Sequence, residues 1–143
     1  MKKVYSLFHI NTSFSSIEEK NLKNVITKCY WPLLDLIEKN NFKISIEANG
    51  KSLKDINNID PLWIRKLKEL IEKKKCEFIG SGYAQIIAPG APYEINYKNL
   101  IYGNEVYKKL LKFKPKIALI NEQAFSNSLI KIYKKFYKAI IID

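Results

Sequence analysis

The chain has 143 residues, 47% of them hydrophobic, 13% aromatic and 27% charged, which fits one packed domain and excludes global disorder. Its apolar runs are a handful of residues long against the roughly 20 that cross a bilayer, which excludes an integral membrane protein. Lys plus Arg is 25 against 14 Asp plus Glu, a net charge of +11, but 24 of the 25 cations are Lys and only Arg65 is Arg.

The first predicted strand is residues 3–10 (KVYSLFHI), rich in β-formers. A helical pattern covers 17–40, with Pro32 expected to end or kink it near Trp31. A second strand is expected at 42–48 (FKISIEA), and residues 52–59 add at most a half-formed turn. Asp60-Pro61 supplies an N-cap and a first-turn proline for a helix over 61–74, whose Leu62, Trp63, Leu67, Leu70 and Ile71 share a face. A third strand, 76–82 (CEFIGSG), runs into a long loop over 83–96, the kind that is often functional at a strand's carboxyl end. Helix 97–112, strand 116–121 (KIALIN), helix 125–137 and strand 138–143 (KAIIID) complete the pattern.

Strands alternating with helices predict an α/β fold with a parallel sheet and right-handed crossovers. Ligands in such folds meet the carboxyl ends of the strands. The polar residues found there are His9 and Asn11, Glu47 and Asn49, residues 80–85, residues 121–123, and Asp143. The last strand has no helix to cover it, so residues 1–143 are expected to be one truncated piece of a larger barrel.

Several chemistries are poorly served by this residue set. Base-edge recognition favours the planar guanidinium, so a chain whose cations are nearly all Lys is not expected to read nucleic acid specifically. Lys, Ile and Asn number 24, 22 and 13, as low-GC coding alone would produce. Residues 80–85 open as G-x-G but put Gln85 at the third glycine position, with Pro89 and Pro92 where a helix should start, against a dinucleotide site. There is one histidine and no G-x-S-x-G, so neither a serine hydrolase nor a zinc site is expected, and no cofactor. Cys29 and Cys76 lack metal or redox spacing and are expected to be buried free thiols. Met1-Lys2-Lys3 resembles a signal-peptide start, but Ser6, His9 and the polar Asn11-Thr12-Ser13 interrupt it, and a cytoplasmic protein is expected.

Carboxylate chemistry remains. Glu122 follows the fourth strand, where it either points into the mouth of a barrel as a catalytic group or stabilises the positive end of the next helix. His9, from position alone, reads more readily as a core imidazole bonded to backbone than as a ligand contact.

Taken in order, Phe8-His9-Ile10-Asn11, the run from Cys76 through Tyr83 with Gln85 and Pro89, and Asn121-Glu122-Gln123-Ala124-Phe125-Ser126 resemble the N-terminal half of family 57 glycoside hydrolases. Tyr30-Trp31-Pro32-Leu33-Leu34, Gly103, Phe113-Lys114-Pro115 and the closing Ala139-Ile140-Ile141-Ile142-Asp143 extend the resemblance over nearly the whole chain. It implies a distorted (β/α)7 barrel and retaining action on α-glucan or a related polysaccharide, with Glu122 as nucleophile and His9, Asn11 and Gln85 in substrate binding. The family's acid/base aspartate comes later than Asp143, so a C-terminal region or second chain would supply it and the isolated chain is expected to be inactive. The family's usual His-Gln-Pro on strand one is His9-Ile10-Asn11 here, which points to altered sugar contacts. The competing expectations are a noncatalytic carbohydrate-binding or barrel-completing subunit and, last, salt-sensitive binding of nucleic acid through the Lys excess.

Overall fold

The computed structural model describes residues 6–40 and 44–142; the strand expectations at 3–5 and 42–43, and Asp143, lie outside the described residues. Among the described residues five short strands, β1 (Leu7–Ile10), β2 (Ile44–Ala48), β3 (Cys76–Ile79), β4 (Ile117–Leu119) and β5 (Ala139–Ile141), are all paired in parallel. β1 pairs with β2, β2 with β3, and β4 with β5. Gly80 bridges β3 to β4: its N–H donates to the Ile117 carbonyl at 3.0 Å, and its own carbonyl accepts from Leu119 N–H at 2.8 Å. The strands therefore follow one another across the fold in chain order, as successive βα units require.

Central β2 (ISIEA) is buried along its whole length, because parallel strands are covered by helices on their faces. One core gathers Ile44, Ile46 and Phe78 from the sheet with Leu34, Trp63 and Tyr107 from the helices. A smaller core joins Ala118 and Ile120 to Leu129, Ile132, Tyr133 and Tyr137.

Helices α1 (Leu22–Val25) and α2 (Trp31–Lys39) are joined through a π-helical turn at Ile26–Tyr30. Pro32 was expected to end or kink this segment; instead the chain stays helical through it. The wider turn just ahead of Pro32 relieves the clash and the missing bond that its ring would impose on a regular α-helix.

Residues 52–59, expected to hold a half-formed turn, lie in a full helix, α3 (Gly50–Ile59). Asn49 caps it, its side-chain oxygen accepting from Ser52 N–H at 2.8 Å. Helix α4 (Pro61–Glu72) buries Trp63, Ile64, Leu67, Leu70 and Ile71. Ile64 replaces Leu62 in the expected stripe: Leu62 is exposed, one position off the face set by the i, i+4, i+7 spacing of Trp63, Leu67 and Leu70. Helix α5 (Tyr93–Leu111) starts earlier than predicted and ends at Lys112 in the left-handed conformation, and α6 (Asn127–Tyr133) precedes β5.

Candidate active site

Strand periodicity builds the site. In the β1–β2 register His9 lies opposite Glu47, and in β2–β3 Glu47 lies opposite Ile79. Side chains alternate along a strand, so Ser81, two residues beyond Ile79, falls on the same face as Glu47. There His9 Nδ1 contacts Glu47 Oε2, and the Ser81 hydroxyl donates to Glu47 Oε1. Glu47 is completely buried, whereas the His9 side chain is 41% exposed. The hydrogen bond that His9 donates to Glu47 raises the His9 pKa; partial burial opposes this, and the charges of Glu47 and Glu122 reinforce it. His9 is thus held by a carboxylate and open to solvent, not a core imidazole bonded to backbone.

The segment after β3 is moulded onto α5. The buried Tyr107 hydroxyl accepts from Ser81 and Gly82 N–H at 3.1 and 3.2 Å and donates to the Gly82 carbonyl at 2.8 Å. Asn99 accepts from Tyr83 and Ala84 N–H at 3.1 and 2.7 Å and donates to the Ala84 carbonyl at 3.0 Å. These bonds satisfy backbone groups that a loop at this depth would otherwise bury unpaired. They also hold Gln85 at the mouth.

Gln85 bridges the other two predicted residues. Its side-chain N–H donates to Glu122 Oε1, and its oxygen accepts from Asn11 Nδ2. Asn11 sits in a loop tied to α3, where Asp55 accepts from the hydroxyls of Thr12 and Ser13 and from Lys51. Burial works against the Asp55 charge, yet these three donors hold its pKa below the ordinary value. A groove of about 600 Å³ beside this loop is lined by Thr12, Ser13, Lys51, Asp55 and Asn58 among others.

Glu122 itself has φ 54° and ψ 15°, and Gln123 follows at φ 53°. Two consecutive non-glycine residues in the left-handed region cost about 1–2 kcal/mol each, a strain that recurs at functional sites. The turn leaves Glu122 exposed and bonded to Gln85, several residues before α6 begins at Asn127. Its carboxylate therefore faces the strand ends and not the helix terminus.

The structure brings His9, Asn11, Gln85 and Glu122 to one end of the sheet. Sequence reasoning noted Glu47 and Ser81 only as strand-end positions and gave them no role. The signal in the sequence was a carboxylate near the end of a largely apolar strand; its place opposite the one histidine is set by register. Among the described residues no cluster of His, Cys, Asp and Glu is suited to a metal ion, and no helix is long and apolar enough to cross a membrane.

The model of glycosyl hydrolase family 57 matches residues 1–143. The chain belongs to glycoside hydrolase family 57. This family 57 chain is 24% identical over 109 residues to an α-amylase of Pyrococcus furiosus, a match covering 76% of the chain and 17% of the amylase. It superposes on the 4-α-glucanotransferase of Thermococcus litoralis with a TM-score of 0.86 at 16% identity, over 97% of the chain and 22% of that enzyme. A family 4 carbohydrate esterase from Streptomyces lividans shares the fold less closely, with a TM-score of 0.68 at 13% identity over 98% of the chain and 62% of the esterase. The family 57 chain thus has the α/β fold of the N-terminal part of the barrel and spans about a fifth of these two family relatives.

Proposed function

We propose that residues 1–143 are the nucleophile-bearing part of a retaining glycoside hydrolase or glucanotransferase acting on α-glucan. The observation that carries this reading is the Glu122 carboxylate, exposed on a strained turn and bonded to Gln85 at the strand ends. In this mechanism Glu122 attacks the anomeric carbon while an acid protonates the departing glycosidic oxygen, giving a covalent glycosyl-enzyme. The same acid, now a base, takes a proton from water or from an acceptor sugar, whose oxygen displaces Glu122. Gln85 steadies the Glu122 carboxylate, and Asn11 and His9 supply polar contacts to sugar hydroxyls. The groove lined by Thr12, Ser13 and Lys51 offers further donors along the chain of sugars.

A retaining pair needs its second carboxyl about 5 to 5.5 Å away. Glu47 does not fill that role, because it is wholly buried and both its oxygens are engaged by His9 and Ser81. As the family resemblance implies, the acid/base aspartate is assigned to a region or second polypeptide beyond these residues. The same observation favours a second reading, a noncatalytic carbohydrate-binding or barrel-completing subunit. A cytoplasmic setting belongs to the proposal and is supported by two free thiols.

The native protein, isolated from its source, should be treated with a 5-fluoro-α-glucosyl fluoride, which traps glycosyl-enzymes. A hexosyl adduct on the peptide carrying Glu122, with loss of glucan turnover in Glu122→Gln, is the expected result. Full turnover in Glu122→Gln overturns the nucleophile assignment, and binding of glucan without any turnover moves the reading to the noncatalytic subunit.

A further inference from the structure

We propose that Glu47 is the positioning residue of this site: one of its oxygens accepts a hydrogen bond from His9 Nδ1–H and the other from the Ser81 hydroxyl. His9 then presents its opposite nitrogen, Nε2–H, as a cationic donor at the mouth. The identity of the recipient, a sugar hydroxyl, rests on the reading above; the clamp itself does not.

A carboxylate with no exposed surface in the middle of a parallel sheet is strongly unfavourable unless it is paired and hydrogen-bonded. The hydrogen bonds described to Glu47 come from His9 and Ser81, and neither donor is Lys or Arg. If Glu47 is ionised, the compensating charge must come from the imidazole. Among the described residues, the elements packed around the pair add no competing cation. From α5, the Tyr107 hydroxyl is committed to residues 81 and 82; from the turn after β4, Asn121 donates to the Ser81 carbonyl at 3.4 Å; and Glu122 adds a second negative charge. Beside β1, Cys29 and Tyr30 share a recess with His9, and Tyr30 donates its proton to the Asn11 carbonyl at 3.0 Å.

Geometry then fixes the ring. Nδ1 is committed to Glu47 on the buried side, so Nε2 lies on the side of the ring away from it, and the side chain is 41% exposed. Ser81 locks the carboxylate through its other oxygen, and Tyr107 locks Ser81 through the backbone. The imidazolium is left between two carboxylates, one structural and one at the mouth.

The chain has a single histidine, so the test needs no assignment. Imidazole proton and ¹⁵N resonances of the 143-residue chain should be followed against pH in the wild type and in Glu47→Gln. The expected wild-type result is a midpoint above the ordinary 6.5 with both ring nitrogens protonated below it. Glu47→Gln should lower the midpoint while circular dichroism keeps its folded signature. A wild-type imidazole that is already neutral at pH 6 overturns the proposal without any variant, and so does an unchanged midpoint in folded Glu47→Gln. Maltohexaose added to the wild type should shift the Nε2–H resonance. If the midpoint behaves as expected and the sugar moves nothing, the glucan reading fails while the clamp stands.

Discussion

Gly103 of α5 lies so close to Gly82 that a Cβ built on it would stand 2.4 Å from the Gly82 carbonyl carbon and 2.6 Å from its Cα. Gly82 needs its own freedom, with φ at +108°, where a side chain would also meet Asn99 Nδ2 at 2.6 Å. The contact is backbone against helix, so no side chain can rotate away to relieve it. Gly103→Ala should therefore destabilise the fold by about 1–3 kcal/mol or more, the ordinary cost of overpacking. Urea denaturation checks this, and an unchanged midpoint would show that α5 can slide. Because residues 81–85 would be displaced, the same substitution should also loosen Gln85 from Glu122.

Asp60 serves two helices at once. Its Oδ1 caps α4 by accepting from Leu62 and Trp63 N–H at 3.1 and 3.4 Å, while Oδ2 accepts from Trp31 Nε1–H of α2 at 2.7 Å. Alanine removes a cap, about 1 kcal/mol, and leaves the indole donor unpaired, about 1–3 kcal/mol. Asp60→Ala should lose roughly 2–4 kcal/mol in chemical denaturation, by those same costs. Asp60→Asn, which keeps an accepting oxygen for the cap, should lose less. Equal losses in the two variants would place the effect in the charge.

The parts of this fold that could be read from sequence are those governed by hydrophobic periodicity. Alternating β-rich runs and amphipathic stretches located all five strands and the longer helices, and the position of Glu122 after the fourth run placed it at a strand end. Features set by a single local bond were harder to see. Helix α3 is polar and Asn-rich, and what starts it is the Asn49 cap. The π turn before Pro32 is a tertiary accommodation with no pattern of its own. The loop at 83–96 looked long because Ala88–Gly90 forms a turn and α5 begins at Tyr93. Glu47 and Ser81 drew no role because pairing between residues 38 and 34 positions apart depends on register, which a single sequence does not display.

The two thiols, both expected to be buried, part company. Cys29 lies on the exposed side of the π turn, whereas Cys76 is buried at the start of β3, where desolvation pushes its pKa to about 12. That expectation rested on the ordinary burial of free thiols; Cys29 instead lies within the π turn, whose buried residues are Ile26 and Tyr30. One thiol per chain should react with Ellman's reagent under native conditions and both in urea. Rapid native labelling of two would mean that β3 opens readily at its amino end.

The His9–Glu47 pair also predicts how stability follows pH. The folded-state pKa of His9 is raised, first by its hydrogen bond to Glu47. A group that binds its proton more tightly when folded stabilises the fold fully below its unfolded value, near 6.5, and loses that contribution as pH rises through the folded value. The melting temperature of the wild type should therefore decline across the neutral to mildly alkaline range, where ordinary carboxylates and lysines do not titrate. His9→Gln should lack this decline, and its curve should fall away from the wild type below the transition and approach it above. Differential scanning calorimetry at fixed ionic strength gives the comparison. Parallel curves for the two proteins from pH 5 to 9 would show that His9 binds its proton no better in the fold than in the unfolded chain, and that the pair adds nothing to the pH dependence of stability.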